Sequence, residues 1–208
     1  MLQISTGITT APRDHSYLDK TINSVPITLG RVTYFSEPGT GLIPDKYTVV
    51  HKIKKGCLRN WDFAARYLLN LNSDFVCILQ DDIEFAHTSI ANSLEPNDKA
   101  GFYSFYTPKL YKNKLPKSGW QAFNNGWYSV GACALLFPKR SLFLLLEHPE
   151  YLNHLLNYKK NEQVDSIVCS VMQTLNLPTY YHSPSLCRHI GEVSSINHNH
   201  MPQITEAL

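Results

Sequence analysis

A chain of 208 residues and 23.7 kDa has room for one substantial core and not for two independent ones. Hydrophobic residues make up 43%, charged residues 17% and aromatics 12%, which excludes disordered, collagen-like and coiled-coil classes. A net charge of +2, with no basic run beyond Lys52, Lys54 and Lys55, leaves no electrostatic footprint for nucleic acid.

Strand-like and helix-like periods alternate without an internal repeat or a low-complexity linker, the order of a layered α/β domain. Residues 2–6 read as a first strand that carries no charged leader or long apolar core, so a secretory signal is not expected. A Thr- and Pro-containing turn from Gly7 to Arg13 leads into a helix with Tyr17, Leu18, Ile22 and Val25. Residues 32–35 and 47–50 read as short strands separated by the breaker cluster Pro38-Gly39-Thr40-Gly41. Trp61, Ala64, Ala65, Leu68 and Leu69 recur at helical spacing and predict an amphipathic helix over about residues 58–71. Phe75-Val76-Cys77-Ile78-Leu79 is a continuous apolar run, the pattern of a strand covered on both faces, and it stops at Gln80-Asp81-Asp82.

Further on come a strand over residues 101–106, a loop rich in Lys and Pro, an Asn125-Gly126 turn and a strand within residues 127–137. Pro138 can open a helix, because its missing N–H would be unpaired in the first turn. Val164, Ile167, Val168, Val171 and Leu175 define another amphipathic helix, a strand over residues 179–182 comes next, and the chain from about residue 194 reads as a tail. No apolar stretch approaches the roughly 20 residues of a spanning helix, so no membrane span is expected. Cys57, Cys77, Cys133, Cys169 and Cys187 form an odd set without Cys-x-x-Cys and read as reduced core thiols in a cytoplasmic protein.

The end of the apolar strand is the first place for chemistry, because ligands of open α/β sheets bind at such edges. Two adjacent carboxylates repel, and a hard divalent cation such as Mn²⁺ or Mg²⁺ would hold both ionised; equally, Asp81 and Asp82 could merely cap the turn and a helix behind it. The turn after the first strand offers Thr9, Thr10 and Arg13 to a nucleotide but only one glycine. There is no Gly-rich phosphate loop with Lys-Ser/Thr and no Gly-x-Gly-x-x-Gly. Asp165 stands off the apolar face of its helix, where the helix dipole alone would explain an acid.

Four segments carry a resemblance: Gly7-Ile8-x-Thr10-x-x-Arg13, Asn60-x-Asp62-x-Ala64, Leu79-Gln80-Asp81-Asp82-Ile83 and Pro184-Ser185-Leu186-x-x-His189-x-Gly191. Together they resemble glycosyltransferases of the GT-A fold, most nearly the N-acetylglucosaminyltransferase IV family, and also the first domain of the capsid-glycan glycosyltransferases of large chlorella viruses. The resemblance implies a single Rossmann-like GT-A domain over residues 1–195, with a central, mostly parallel mixed sheet flanked by helices and a tail over residues 196–208.

It further implies a transferase that moves a sugar from a UDP-sugar donor to a hydroxyl of a glycan or glycoprotein with Mn²⁺ or Mg²⁺. For a viral member, capsid glycosylation in the host cytoplasm is the implied setting, within a larger polypeptide. Asp82 and His189 would be the metal ligands. Thr9, Thr10, Arg13, Arg59, Asn60, Gln80 and Asp81 would line the donor, with Gln80 departing from the carboxylate that the family carries there. Asp165 would be the general base, as in inverting members, while a retaining course stays open. Trp127 and Gly131 would lie beside the sugar, with Trp120 and Tyr128 as further stacking candidates. Two other classes compete: a nucleotidyltransferase that makes a sugar nucleotide, which ordinarily has a Gly-rich triphosphate loop, and a non-catalytic carbohydrate-binding module that needs no metal.

Overall fold

In the computed structural model, residues 2–13, 16–86, 97–123, 131–157 and 163–191 are described. In chain order the elements are β1 (Ile4–Thr10), α1 (Leu18–Ser24), β2 (Val32–Ser36), β3 (Thr48–Val50), α2 (Cys57–Leu69), β4 (Phe75–Gln80), β5 (Ile83–Phe85) and β6 (Phe102–Ser104). They continue with β7 (Gly119–Ala122), β8 (Ala134–Pro138), α3 (Lys139–Leu146), α4 (Pro149–Leu156), α5 (Val164–Thr174), β9 (Thr179–Ser183) and β10 (Cys187–His189).

Eight strands form one sheet in the order β3-β2-β1-β4-β8-β6-β9-β7, and β5 and β10 form a separate antiparallel pair. From β3 to β4 the strands are parallel; β8 runs antiparallel to both β4 and β6, β6 pairs parallel with β9, and β7 closes the edge antiparallel. The apolar run of β4 is covered on both faces, as its pattern requires. Val76 and Ile78 pack with Trp61, Ala64 and Leu68 of α2, Leu142 of α3 and Val168 of α5. Phe75, Cys77 and Leu79 point the other way, into a second cluster with Leu18 of α1, Leu29 and Phe85.

This layering sets the edge at which a site can form. The chain leaves β1 through α1 on one face of the sheet and reaches β4 through α2 on the other, so β1 has neighbours on its two sides that were reached by different crossovers. The loops after β1 and β4 meet at the carboxyl edge of the sheet, which is where open α/β sheets take ligands.

Several expectations are adjusted. The first strand extends to Thr10 rather than ending at Thr6. Gly7 therefore lies inside a strand and not in a ligand turn. A Cβ there would come within 2.7 Å of Phe35 and 2.8 Å of Leu68, so the glycine serves close packing of α2 and β2 on β1. Pro138 ends β8 and sits at the N-cap of α3, one position earlier than a helix-opening proline. The strand within residues 127–137 begins at Ala134 among the described residues. The Asn125-Gly126 turn, Trp127 and Tyr128 lie outside the described residues, as does the expected tail from residue 194. All five cysteines are free, with Cys77, Cys133 and Cys187 buried and Cys57 and Cys169 half-buried. No helix among the described residues is long and apolar enough to cross a membrane.

Candidate functional site

Register brings the candidate residues together. Thr9 pairs with Gln80 across β1 and β4, so Thr10 and Asp81 emerge side by side from adjacent strand ends. Thr10 Oγ1 donates to Asp81 Oδ2 at 2.5 Å, and the Ala11 N–H points at the same oxygen at 3.3 Å. Behind the pair, Thr21 of α1 donates to the carbonyls of Asp81 (2.9 Å) and Ile83 (2.7 Å) and fixes the turn between β4 and β5.

Asp81 and Asp82 are only 4% and 3% exposed. The acid pair therefore does not lie on an open strand end. Asp82 is covered from the far end of the chain. β10 pairs with β5 so that His189 lies opposite Ile83, and the Ile190 N–H donates to the Asp82 carbonyl at 2.8 Å. The Arg188 guanidinium clasps Glu84 across the same two strands at 2.6 Å. Gly191 then lies so close that a Cβ would fall 2.7 Å from Asp82 Oδ2. His189 Nε2 lies 3.1 Å from that same oxygen.

One cation serves both acids. Arg13 Nη2 is 2.8 Å from Asp81 Oδ1 and 2.8 Å from Asp82 Oδ2. Burial alone would lower the Arg13 pKa, but the charges of Asp82 and Asp81 outweigh it and raise it. Burial pushes Asp81 up, Arg13 pulls it down and Asp82 pushes it up again, leaving it above the usual carboxylate range. Asp82 ends below that range: burial opposes its ionisation, but the bond and charge of His189 and then Arg13 prevail.

A third acid comes from α5. Asp165, in the first turn of α5, accepts from the Gly131 N–H (2.7 Å, Oδ2) and its neighbour Ser166 N–H (3.0 Å, Oδ1). Burial nevertheless pushes its pKa up, against those two bonds. Gly131 stands at φ +97 with a potential Cβ only 2.4 Å from the Tyr106 ring, so both backbone and space demand glycine. Cys57, at the start of α2, is raised to about 11 by burial and then by the charges of Asp165 and Asp82.

Gln80 is half-buried at the end of β4, with its N–H on the Cys133 carbonyl at 2.8 Å. Thr9 Oγ1 donates to the Leu79 carbonyl at 3.3 Å. Asn60 is buried in α2, its amide bonded to the Phe35 carbonyl (3.1 Å) and to His51 (3.0 Å), while Arg59 is exposed on the same helix. Trp120 lies on β7 against the rings of Tyr103, Phe105 and His182, within the sheet edge rather than beside Asp82. Sequence reasoning missed Thr21, Gly191's role against Asp82, and Glu37. The buried Glu37 carboxylate accepts the Lys55 N–H (2.8 and 3.0 Å) and the Gly56 N–H (2.8 Å), tying the end of β2 to the start of α2. A separate groove of about 550 Å³, lined by Arg66, Lys139, Arg140 and Phe143, lies at the opposite end of β4.

The donor set suits a divalent cation. Asp82 Oδ1 is buried and has no hydrogen-bond partner among the described residues, a costly state for a carboxylate oxygen that a metal would relieve. Among the described residues no three His, Cys, Asp or Glu side chains converge on one point. The chain's own ligands would be Asp82 and His189, an oxygen and an imidazole of the kinds Mn²⁺ accepts.

The eight-stranded mixed sheet with helices on its faces matches the fold of GT-A glycosyltransferases. A crystal structure of GalNAc-T7 with UDP, GalNAc and Mn²⁺ matches 91% of this chain with a TM-score of 0.60, at 9% sequence identity. The chain spans 44% of the length of that protein. No protein-family model and no curated protein matches the sequence.

Proposed function

We propose that this chain is a metal-dependent glycosyltransferase that moves a sugar from a UDP-sugar donor to a hydroxyl of a glycan or glycoprotein. The observation that carries the reading is the buried Asp82 carboxylate, one oxygen unpartnered and the other beside His189, at the carboxyl edge of β4 in this fold. The fold likeness to a protein crystallised with UDP, GalNAc and Mn²⁺ supports it.

Asp82 and His189 would hold the cation, which supplies Lewis-acid stabilisation of the charge on a departing diphosphate. Asp81, Thr10 and Arg13 make a prearranged rim for the nucleotide, with Thr9 and Gln80 flanking it; Arg59, exposed on α2, is a further donor contact that the resemblance implies, while Asn60 is engaged within the protein. Arg13 adds a positive charge that attracts and orients an anionic carrier. Asp165 takes the proton of the attacking hydroxyl: its raised pKa makes it a stronger base than an ordinary carboxylate, and the Gly131 and Ser166 N–H groups hold it in place. Gly131 and Trp127 would flank the sugar. The resemblance to chlorella-virus enzymes makes a capsid glycan, in the host cytoplasm, the first acceptor to try.

Calorimetry with UDP in the presence and absence of Mn²⁺ tests the reading. Binding of UDP that strengthens with Mn²⁺ is expected. Sugar binding without nucleotide would point to a carbohydrate-binding module, and turnover of a nucleoside triphosphate with a sugar phosphate to a nucleotidyltransferase.

A further inference from the structure

The acid pair is held by a cation that belongs to the chain. A single Arg13 nitrogen lies 2.8 Å from one oxygen of each carboxylate, and the three side chains are 12%, 6% and 5% exposed. The oxygen of Asp82 that Arg13 touches, Oδ2, is also the one beside His189. A divalent ion bound by Asp82 and His189 would therefore be drawn to the surroundings of an oxygen already taken by a guanidinium, and the two cations would repel at close range in a poorly solvated place. Arg13 and His189 both meet Asp82 at Oδ2, and Oδ1 is left without a hydrogen-bond partner. The arrangement is thus stable enough to persist and incomplete enough to yield.

We propose that Arg13 is a built-in competitor for the metal: it occupies Asp82 until the donor arrives, so that the cation binds weakly alone and firmly only together with the nucleotide. This rests on the donor-site reading above. Exchange is favoured by the donor itself, because a diphosphate offers the planar guanidinium a bidentate anionic partner to replace the carboxylates. Thr10 and the Ala11 N–H keep their hold on Asp81 while Arg13 changes partners, so the rim stays formed. Arg13 lies beyond the end of β1, in the loop before α1, and so belongs to no strand or helix.

The test is a titration of the full chain with Mn²⁺, followed through the electron paramagnetic resonance signal of the free ion, with and without UDP. Arg13→Met is expected to bind Mn²⁺ alone at least tenfold more tightly than the wild type, with a smaller further gain on adding UDP. Adding Asp82→Asn to Arg13→Met should abolish that binding. If Arg13→Met does not fold, Arg13→Lys serves, since an ammonium reaches one carboxylate at a time; an affinity for Mn²⁺ alone above that of the wild type is expected. Nucleotide-free affinity unchanged or weaker in the Arg13 variant, with Mn²⁺ taken up normally alongside UDP, would overturn the competition and leave the donor site standing. Failure of the wild type to take up Mn²⁺ even with UDP would overturn both.

Discussion

Replacing Gly131 by alanine probes the support of the proposed base through two separable effects. At φ +97 a side chain strains the backbone by about 1–3 kcal/mol. The new methyl would also lie 2.4 Å from Cδ1 and 2.6 Å from Cε1 of Tyr106, well inside the roughly 3.5–4.0 Å of normal carbon contact. Tyr106 is buried, so its ring has no open space to enter, and overpacking adds about 1–3 kcal/mol. Together Gly131→Ala is expected to cost about 2–6 kcal/mol, read from urea denaturation at constant slope. In a Tyr106→Ala background only the backbone part should remain, so the double-mutant cycle should return a coupling of about 1–3 kcal/mol. Because the Gly131 N–H holds Asp165, transfer should also fall further than UDP binding does. A cost below about 0.5 kcal/mol, or the same cost with the tyrosine removed, would refute the reasoning.

Asp82→Asn is expected to eliminate the strengthening of UDP binding by Mn²⁺ in calorimetry. Because the residue is buried beside Arg13 and His189, it should also lower stability by about 1–3 kcal/mol in denaturation. Asp165→Asn is expected to leave UDP binding intact and slow transfer by about 10²–10⁴-fold. The acid limb of the wild-type rate profile should lie above the usual carboxylate range and vanish in this variant. The stability of the wild type should report the same shift: its folded-state pKa is raised, so the unfolded chain releases this proton first. Stability then declines as pH rises from the unfolded towards the folded value, and in Asp165→Asn that decline should be shallower in denaturation curves taken across the window, the remainder coming from Asp81, which is raised as well. Glu37→Gln turns one acceptor into an N–H donor facing the Lys55 and Gly56 N–H groups; a loss of about 1–3 kcal/mol and weaker UDP binding are expected.

The sheet's central strand and its two acids were legible because five apolar residues in succession, cut off by Gln80-Asp81-Asp82, leave little else for a chain to do. The helices around Trp61 and Val168 announced themselves by period. Gly7 misled, since a glycine after a strand signals a turn, and only the ring of Phe35 and the methyl of Leu68 explain it as packing. β5 and β10 are three residues each, too short for any period, so nothing local announced that Asp82 would be covered. His189 and Asp165 were reached through resemblance: an imidazole late in the chain and an acid in a first helical turn have ordinary explanations when taken singly. Thr21 left no signal at all, because its partners are two backbone carbonyls some sixty residues away.

The strap formed by β10 has a consequence for biogenesis. His189 lies 107 residues beyond Asp82, so a ribosome must release nearly the whole domain before the acid pair can be sealed. Until then Asp82 has Arg13 but lacks His189 and the backbone bond from Ile190. Loop closure over such a span is slow relative to local helix and turn formation. The assembled pocket is thus a late event in the life of each molecule, and a fragment that stops before residue 187 would carry the acids without their cover.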